Sequence, residues 1–470
     1  MILRRTDLLV YVFVVILSVP CIYFGLKYNA SNIQPPNIIV IIADDLGWND
    51  VSFHGADEIP TPNIDALAYN GVILNRHYVL PICTPSRTAF LTGKYPIRTG
   101  MQGFPLRGAE PRGIPLNNIL LPEYLRKIGY ATHLVGKWHV GYYTRNYGPT
   151  RRGFDTFVGY YSGYIEYFNH SLYESEQLGY DLHRIVGDNH KIEYSYDYMT
   201  DLITDEAENI ISSHNPSKPL YLQLAHLAPH SSGVEDAMQV RNWTETNITL
   251  GYIKDINRRK YASVVATLDE SVGRVIDALK RTDMLKNSII IFIADNGAQT
   301  EGLMQNYGSN YPLRGLKFSL FEGSIRGTAC IYSPLIDHLS RVSTQLFHIT
   351  DWLPTLYSAA GGNPNDLKQL DGIDQWSVIK NARDGKRKSI LINIDEKINS
   401  EAALIGSYKL DVERLNMFID RYKSVLMNQT NAPVDPAGFP SNFNNTWVPW
   451  LPDDYQSISE THFTMNEVTP

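Results

Sequence analysis

The chain has very little cysteine, three residues in 470. One of them, Cys21, falls inside an apolar leader, which leaves only Cys83 and Cys330 in the body and excludes a disulfide framework. Runs of basic residues are also missing. Forty-two Lys and Arg against 49 Asp and Glu give a net charge of −7, spread along the chain. That balance excludes nucleic acid as an expected partner and otherwise speaks only for solubility. Internal repeats and low-complexity tracts are absent too, which removes solenoids from consideration. What is present is an ordinary hydrophobic content of 43%, over a length that suits one large domain and a smaller one.

Arg4 and Arg5 precede an apolar stretch from Leu8 to Leu26, closed by Lys27. It is longer than the roughly 7–15-residue core of a typical signal peptide and close to the roughly 20 residues of a membrane span. A long signal peptide and an uncleaved single-pass anchor with a cytosolic N-terminus both fit. Pro20 and the lack of a clean small-x-small site leave the two open. Either one delivers the remaining chain to the lumenal or extracellular side. Sequons starting at Asn29, Asn169, Asn242, Asn247, Asn428 and Asn444 agree with a secretory route.

NIIVIIA (37–43) is a continuous apolar run, as expected of a strand buried on both faces, and it ends in Asp44-Asp45. SIIIFIA (288–294) repeats the device and ends in Asp295-Asn296. Between them, 198–213 and 257–280 carry apolar stripes at helical spacing, and PLYLQLA (219–225) reads as a strand. Alternating β and α elements predict an α/β fold: a large, mostly parallel sheet flanked by helices, with ligands beyond the carboxyl ends of its strands. After residue 385, SILINIDE and AALIGSYKL read as short strands of a small C-terminal antiparallel sheet, followed by a loosely structured tail. The expected organisation is a leader over 1–34, a main domain over 35–385, and a C-terminal subdomain and tail over 386–470.

Asp44, Asp45, Asp295 and Asn296 offer three carboxylates and an amide oxygen from two strand ends, a donor set suited to Ca²⁺ or Mg²⁺ rather than Zn²⁺. Asp and Asn also end strands simply because they favour turns. Two acidic ends in one sheet favour the metal. In LVGKWHVG, Lys137 and His139 stand two residues apart, so in an extended stretch they share a face. His230 lies beyond the 219–225 strand, with His226 as its competitor. Lys317 sits in PLRGLKFSLFEGS. A lone lysine or histidine is usually a solvated or satisfied side chain, so these gain weight only together. Cys83 occupies a polar, turn-prone frame, PICTPSRTAFLTG, with Arg87 nearby, which suits a reactive or modified side chain. Cys330, in the strand-like TACIYSP, reads as an inert buried thiol. The aromatic run FVGYYSGYIEYF (157–168) fits either packing on the sheet or lining of a site mouth.

CTPSR at 83–87 with LTGKYPIRTG resembles the signature of the type I sulfatases. The similarity continues through IIADDLGWNDVSFHG, GKWHVG, PTRRGFDTFVGY, IADNGAQT and PLRGLKFSLFEGSIRG, over roughly residues 36–380. The arylsulfatase B-like subgroup, which cleaves the 4-sulfate of N-acetylgalactosamine in glycosaminoglycans, is the nearest in pattern. The resemblance implies an alkaline-phosphatase-like fold and conversion of Cys83 to Cα-formylglycine by the formylglycine-generating enzyme. It implies one Ca²⁺ held by Asp44, Asp45, the modified Cys83, Asp295 and Asn296. Arg87 would stabilise the formylglycine, and His139 would hydrogen-bond its hydrate. Lys137, Lys317 and His230 would bind sulfate oxygens, with His230 protonating the leaving sugar oxygen. A lysosomal or secreted enzyme acting on a sulfated carbohydrate is the implied role. The chain departs from the subgroup in lacking its disulfides, notably around FPLRGAEPRGIP (104–115). Two other readings use the same fold: a phosphodiester or phosphonate hydrolase, against which the oxidisable Cys83 speaks, and an inactive glycan-binding scaffold, against which the intact set of site positions speaks.

Overall fold

A computed structural model describes residues 34–411 apart from 109, 175–176, 233–235 and 396–399. The apolar leader, the sequons at Asn29, Asn428 and Asn444, and the C-terminal tail lie outside the described residues. Among the described residues no helix is long and apolar enough to cross a membrane.

The centre is a ten-stranded sheet. In chain order its strands are β1 (Asn37–Ala43), β2 (Val72–Leu74), β3 (Ala131–Lys137), β4 (Thr156–Tyr160), β5 (His183–Val186), β6 (Asn189–Ile192), β7 (Leu220–Ala225), β8 (Ser288–Ala294), β9 (Ala329–Tyr332) and β10 (Arg341–Ser343). Across the sheet the order is β10-β2-β9-β8-β1-β7-β3-β4-β5-β6. The five strands β8-β1-β7-β3-β4 run parallel. Antiparallel pairings enter toward both edges, at β8–β9 and at β4–β5. Because the central strands are parallel, their carboxyl ends meet on one rim, and every acidic strand end named above lies there.

Five helices matter for that rim: α1 (Pro62–Tyr69), α2 (Cys83–Thr92), α3 (Met199–Ser213), α4 (Ile256–Arg281) and α5 (Trp352–Ala359). Ile39 and Ile41 of β1 point into one core with α1, α3 and α4. Ile38, Val40 and Ile42 point into the other, with α2 and α5. Burial on both faces is why β1 is apolar from Ile38 to Ala43, each isoleucine stabilising the fold by about 1.5–3 kcal/mol.

A small antiparallel sheet, β11 (Ser389–Asp395), β12 (Ser400–Ile405) and β13 (Tyr408–Asp411), follows. The stretch AALIGSYKL, read from sequence as one strand, is divided between two, because Gly406 turns the chain with φ 63°. The sheet packs Ile390, Ile392, Ala402 and Leu404 on Leu320 and Ile325, just beyond Lys317. Arg387 anchors it, donating from Nε to the buried Asp351 carboxylate at 2.8 Å.

Two buried histidines, His77 and His226, and the half-buried His54 make the fold sensitive to acid. Burial lowers His54, His77 and His226 to about 3. His77 Nε2 accepts from Trp352 Nε1 at 3.0 Å, so a proton there would set donor against donor. The unfolded chain takes up protons near pH 6.5 while the native state refuses them down to about 3. Stability is therefore full above pH 6.5 and falls across that window, by about 2 kcal/mol per histidine at pH 5. Thermal melts at pH 7 and pH 5 should show a lower melting temperature in acid, and His226→Gln should reduce the difference.

Candidate active site

Cys83 opens α2, following Ile82 in extended conformation. Ser86 fixes the entry: its hydroxyl donates to the Leu80 carbonyl at 3.2 Å and accepts from the Leu80 N–H at 2.9 Å. Pro85 occupies the first turn, where its missing N–H costs nothing. The Cys83 side chain thus sits at a helix N-terminus, in its positive partial charge. It is only 2% exposed. Burial pushes the thiol up to about 12, against the pull of Lys137 and Lys317. An unmodified thiol here stays protonated and is a poor nucleophile. The turn-prone frame inferred from sequence is, in the structure, a buried first helical turn.

The rim brings the expected carboxylates and cations together, all buried. Lys137, the last residue of β3, donates from Nζ to Asp44 Oδ2 at 2.5 Å. Arg87, one turn into α2, reaches Asp295 Oδ2 from Nε at 3.0 Å, and its Nη2 lies 3.8 Å from Asp44 Oδ2. Lys317 Nζ donates to Asp45 Oδ2 at 2.7 Å. Asn296 Nδ2 donates to Asp45 Oδ1 at 2.6 Å. Burial alone would raise Asp44 and Asp45. The facing cations outweigh it, Lys137 chiefly for Asp44 and Lys317 for Asp45, and hold both below the usual carboxylate range. Asp295 goes the other way, raised by burial and by the neighbouring Asp44.

The two histidines are held by backbone carbonyls, which fixes their tautomers. His139 Nε2 lies 2.9 Å from the Leu106 carbonyl, so it carries the proton and donates. Its Nδ1 is then an acceptor, buried without a partner. Burial, then Lys137, holds this imidazole neutral, well below its ordinary range. His230 Nδ1 lies 2.6 Å from the Ser231 carbonyl and donates to it. Its Nε2 faces Lys317 Nζ at 3.2 Å and Asp45 Oδ2 at 3.5 Å. The competitor His226 is elsewhere, with Nε2 turned to Ser271 of α4 at 3.3 Å.

The donor set fits a hard cation. Asp44 Oδ1 and Asn296 Oδ1 are buried without hydrogen-bond partners, a cost of about 1–3 kcal/mol each unless something accepts their lone pairs. Ligand atoms from Asp44, Asp45, Cys83 and His230 lie within 4.8 Å of one another. Two of these four are carboxylate oxygens, the donors Ca²⁺ takes, and the His230 Nε2 is already engaged by Lys317.

Lys137 and His139 meet here for a different reason than the shared face expected of an extended stretch. The strand ends at Lys137, and His139 takes a left-handed backbone with φ 56°. Gly163 makes room for its ring, since a Cβ there would lie 2.8 Å from His139 Cε1. Several supporting residues carried no sequence signal. Thr84 Oγ1 donates to the His139 carbonyl at 3.0 Å and accepts from Leu106 N–H at 3.1 Å. Asn306 Nδ2 bridges the carbonyls of Asp45 and Pro229 at 2.9 and 3.1 Å, tying the loops of Asp45 and His230 together. The cysteine-poor loop 104–115 is held by polar contacts, Arg112 donating to carbonyls of Gly100, Gln102 and Phe104. In the aromatic run, Phe157, Tyr160 and Tyr167 are core, while half-buried Tyr164 stacks on His230 with centroids 5.9 Å apart. Cys330 lies fully buried in β9, as expected of an inert thiol.

The sulfatase family profile matches residues 36–362. Mouse (Mus musculus) arylsulfatase J is 44% identical over 372 residues, covering 78% of this chain and 59% of that protein. Mouse N-acetylgalactosamine-6-sulfatase is 32% identical over 365 residues, covering 73% and 65%. The chain therefore spans about three fifths to two thirds of the length of these relatives. Among solved structures, that of Ps i-CgsB in complex with k-i-k-neocarrahexaose aligns with a TM-score of 0.71 at 30% identity, covering 80% of this chain and 84% of that one. The PsFucS1 sulfatase from Pseudoalteromonas sp. aligns at 0.69 and 25% identity, covering 82% and 79%. With a buried cysteine, three carboxylates and three cations on the rim of the same fold, the chain belongs to the sulfatase family.

Proposed function

We propose that the chain is a sulfuric ester hydrolase that releases sulfate from a sulfated glycosaminoglycan sugar, such as N-acetylgalactosamine 4-sulfate, or from an aryl sulfate. The observation that carries this reading is Cys83 on a helix N-terminus, facing a buried cluster in which Lys137, Lys317 and Arg87 match three carboxylates. In the proposal Cys83 is oxidised to Cα-formylglycine before folding, because its side chain is out of reach afterwards. A Ca²⁺ would be held by Asp44, Asp45, Asp295, Asn296 and residue 83. Together these two groups supply a hydrated aldehyde with two hydroxyls on one carbon, beside a Lewis acid. Secretory routing belongs to the same proposal, and the sequons at Asn169, Asn242 and Asn247 are exposed as it requires.

The chain's own residues do the rest. Lys137 and Lys317 place ammonium groups where negative charge gathers on the sulfuryl oxygens, in a site that excludes water. Neither costs reorganisation, since both are already fixed by Asp44 and Asp45. Arg87 fixes Asp295 and adds its positive charge beside residue 83. His139, neutral with a free Nδ1, is an acceptor for a hydroxyl proton at position 83. His230 and Lys317 hold a proton between Nε2 and Nζ for the leaving oxygen.

Sulfate release from N-acetylgalactosamine 4-sulfate, its 6-sulfate isomer and 4-nitrocatechol sulfate tests the reading; protein modified at Cys83 that releases none contradicts it. His230→Gln should cost about 10²-fold on the sugar sulfate, whose alkoxide needs a proton, and much less on the aryl sulfate, whose phenolate leaves unaided. His226→Gln should stay within about twofold on both, since it touches no reacting group. Equal losses in the two variants would remove His230 from its role.

A further inference from the structure

Lys317 and His230 are each 3% exposed and lie 3.2 Å apart. Each has an aromatic neighbour more exposed than itself. The Tyr164 ring lies 7° from parallel with the His230 imidazole, centroids 5.9 Å apart. The Phe318 ring centroid is 5.8 Å from Lys317 Nζ. Phe104, 49% exposed, stands next to Phe318 with centroids 6.1 Å apart. Phe104 belongs to the loop whose Leu106 carbonyl fixes His139. Aromatic surface thus runs from solvent to the two groups that face the leaving oxygen.

Phe318 is not placed there by ordinary packing. It has φ 75°, a left-handed conformation that a bulky side chain adopts only under constraint. The constraint is visible on both sides: its N–H donates to the Pro81 carbonyl at 2.8 Å, and the Lys317 N–H donates to the Ala298 carbonyl at 3.1 Å. The backbone strain keeps Lys317 inside and turns a half-buried ring beside it, where a core residue would have been fully covered.

We propose that Phe318 and Phe104, with Tyr164, form the wall that receives the leaving group, and that this wall selects esters whose leaving group presents a flat apolar face. An arene and the C–H face of a pyranose share that chemistry, and both stack on aromatic rings. The inference rests on the sulfatase reading and deepens it by naming what binds beyond the sulfate.

The test compares kcat/KM for 4-methylumbelliferyl sulfate, N-acetylgalactosamine 4-sulfate and 2,2,2-trifluoroethyl sulfate, which has no ring. Phe318→Leu keeps apolar bulk and removes the ring; Phe104→Ala removes a ring that is 49% exposed. The ratio of a ring-bearing ester to the trifluoroethyl ester should fall about tenfold in Phe318→Leu and by a smaller factor in Phe104→Ala, mainly through KM. A fall confined to the umbelliferyl ester assigns the wall to arenes, and one confined to the sugar assigns it to pyranoses. An equal loss on all three esters would mean that Phe318 only positions Lys317, and unchanged rates on all three would remove it from recognition; either overturns the proposal while leaving the sulfatase reading intact. Wild-type protein inactive on all three overturns both.

Discussion

Cys83→Ala should abolish sulfate ester hydrolysis, by about a thousandfold or more, while the protein stays folded. The size of the effect follows from the site's construction. Lys137, Lys317 and Arg87 all converge on the side chain at position 83, and none of them is a nucleophile. Electrostatic stabilisation without a group to attack sulfur leaves only the residual catalysis of a binding site. Folding should survive because the substitution deletes one buried atom from a helix whose entry is fixed by Ser86, not by the thiol. Initial rates on 4-nitrocatechol sulfate, with circular dichroism melts of both proteins, check the two halves. A Cys83→Ala protein that retains even a tenth of wild-type turnover would place the chemistry elsewhere.

The second large effect concerns the metal. Wild-type protein should melt higher with Ca²⁺ than with a chelator, since a ligand at 100 times its Kd stabilises the native state by about 2.7 kcal/mol. Asp45→Asn should eliminate that difference. The amide keeps the shape of the carboxylate but removes the charge that balances Lys317 at 2.7 Å, in a site sealed from water. Leaving a buried ammonium unpaired costs about 3–5 kcal/mol, so the variant should also start from a lower melting temperature. Turnover should fall with metal binding, yet the melting shift reports on the site without reference to activity. A wild-type melting temperature unmoved by Ca²⁺ would contradict the assigned ligand set.

What was legible in the sequence was set by burial and by strand direction. β1 and β8 are buried on both faces, so their apolar runs stand out, and parallel neighbours carry Asp44, Asp45, Asp295 and Asn296 to one rim. α3 and α4 were readable because each has one solvent face. The strands β2 and β10 have three residues each and no period to read; β9 stood out as the strand-like TACIYSP, but its antiparallel direction did not. Lys137 and His139 were singled out together, but not their geometry, since His139 takes a left-handed backbone and its ring fits the space left by Gly163. Thr84, Asn306 and Phe318 were silent for a similar reason. Their roles arise where loops distant in sequence close on one another, as Asn306 does on Asp45.

The most direct measurement is the mass of the tryptic peptide His77–Arg87, from protein made in cells that contain the formylglycine-generating enzyme. The account predicts a peptide about 18 Da lighter than the cysteine form, in a preparation that hydrolyses 4-nitrocatechol sulfate. A peptide carrying intact Cys83 in a preparation that turns the ester over would contradict it.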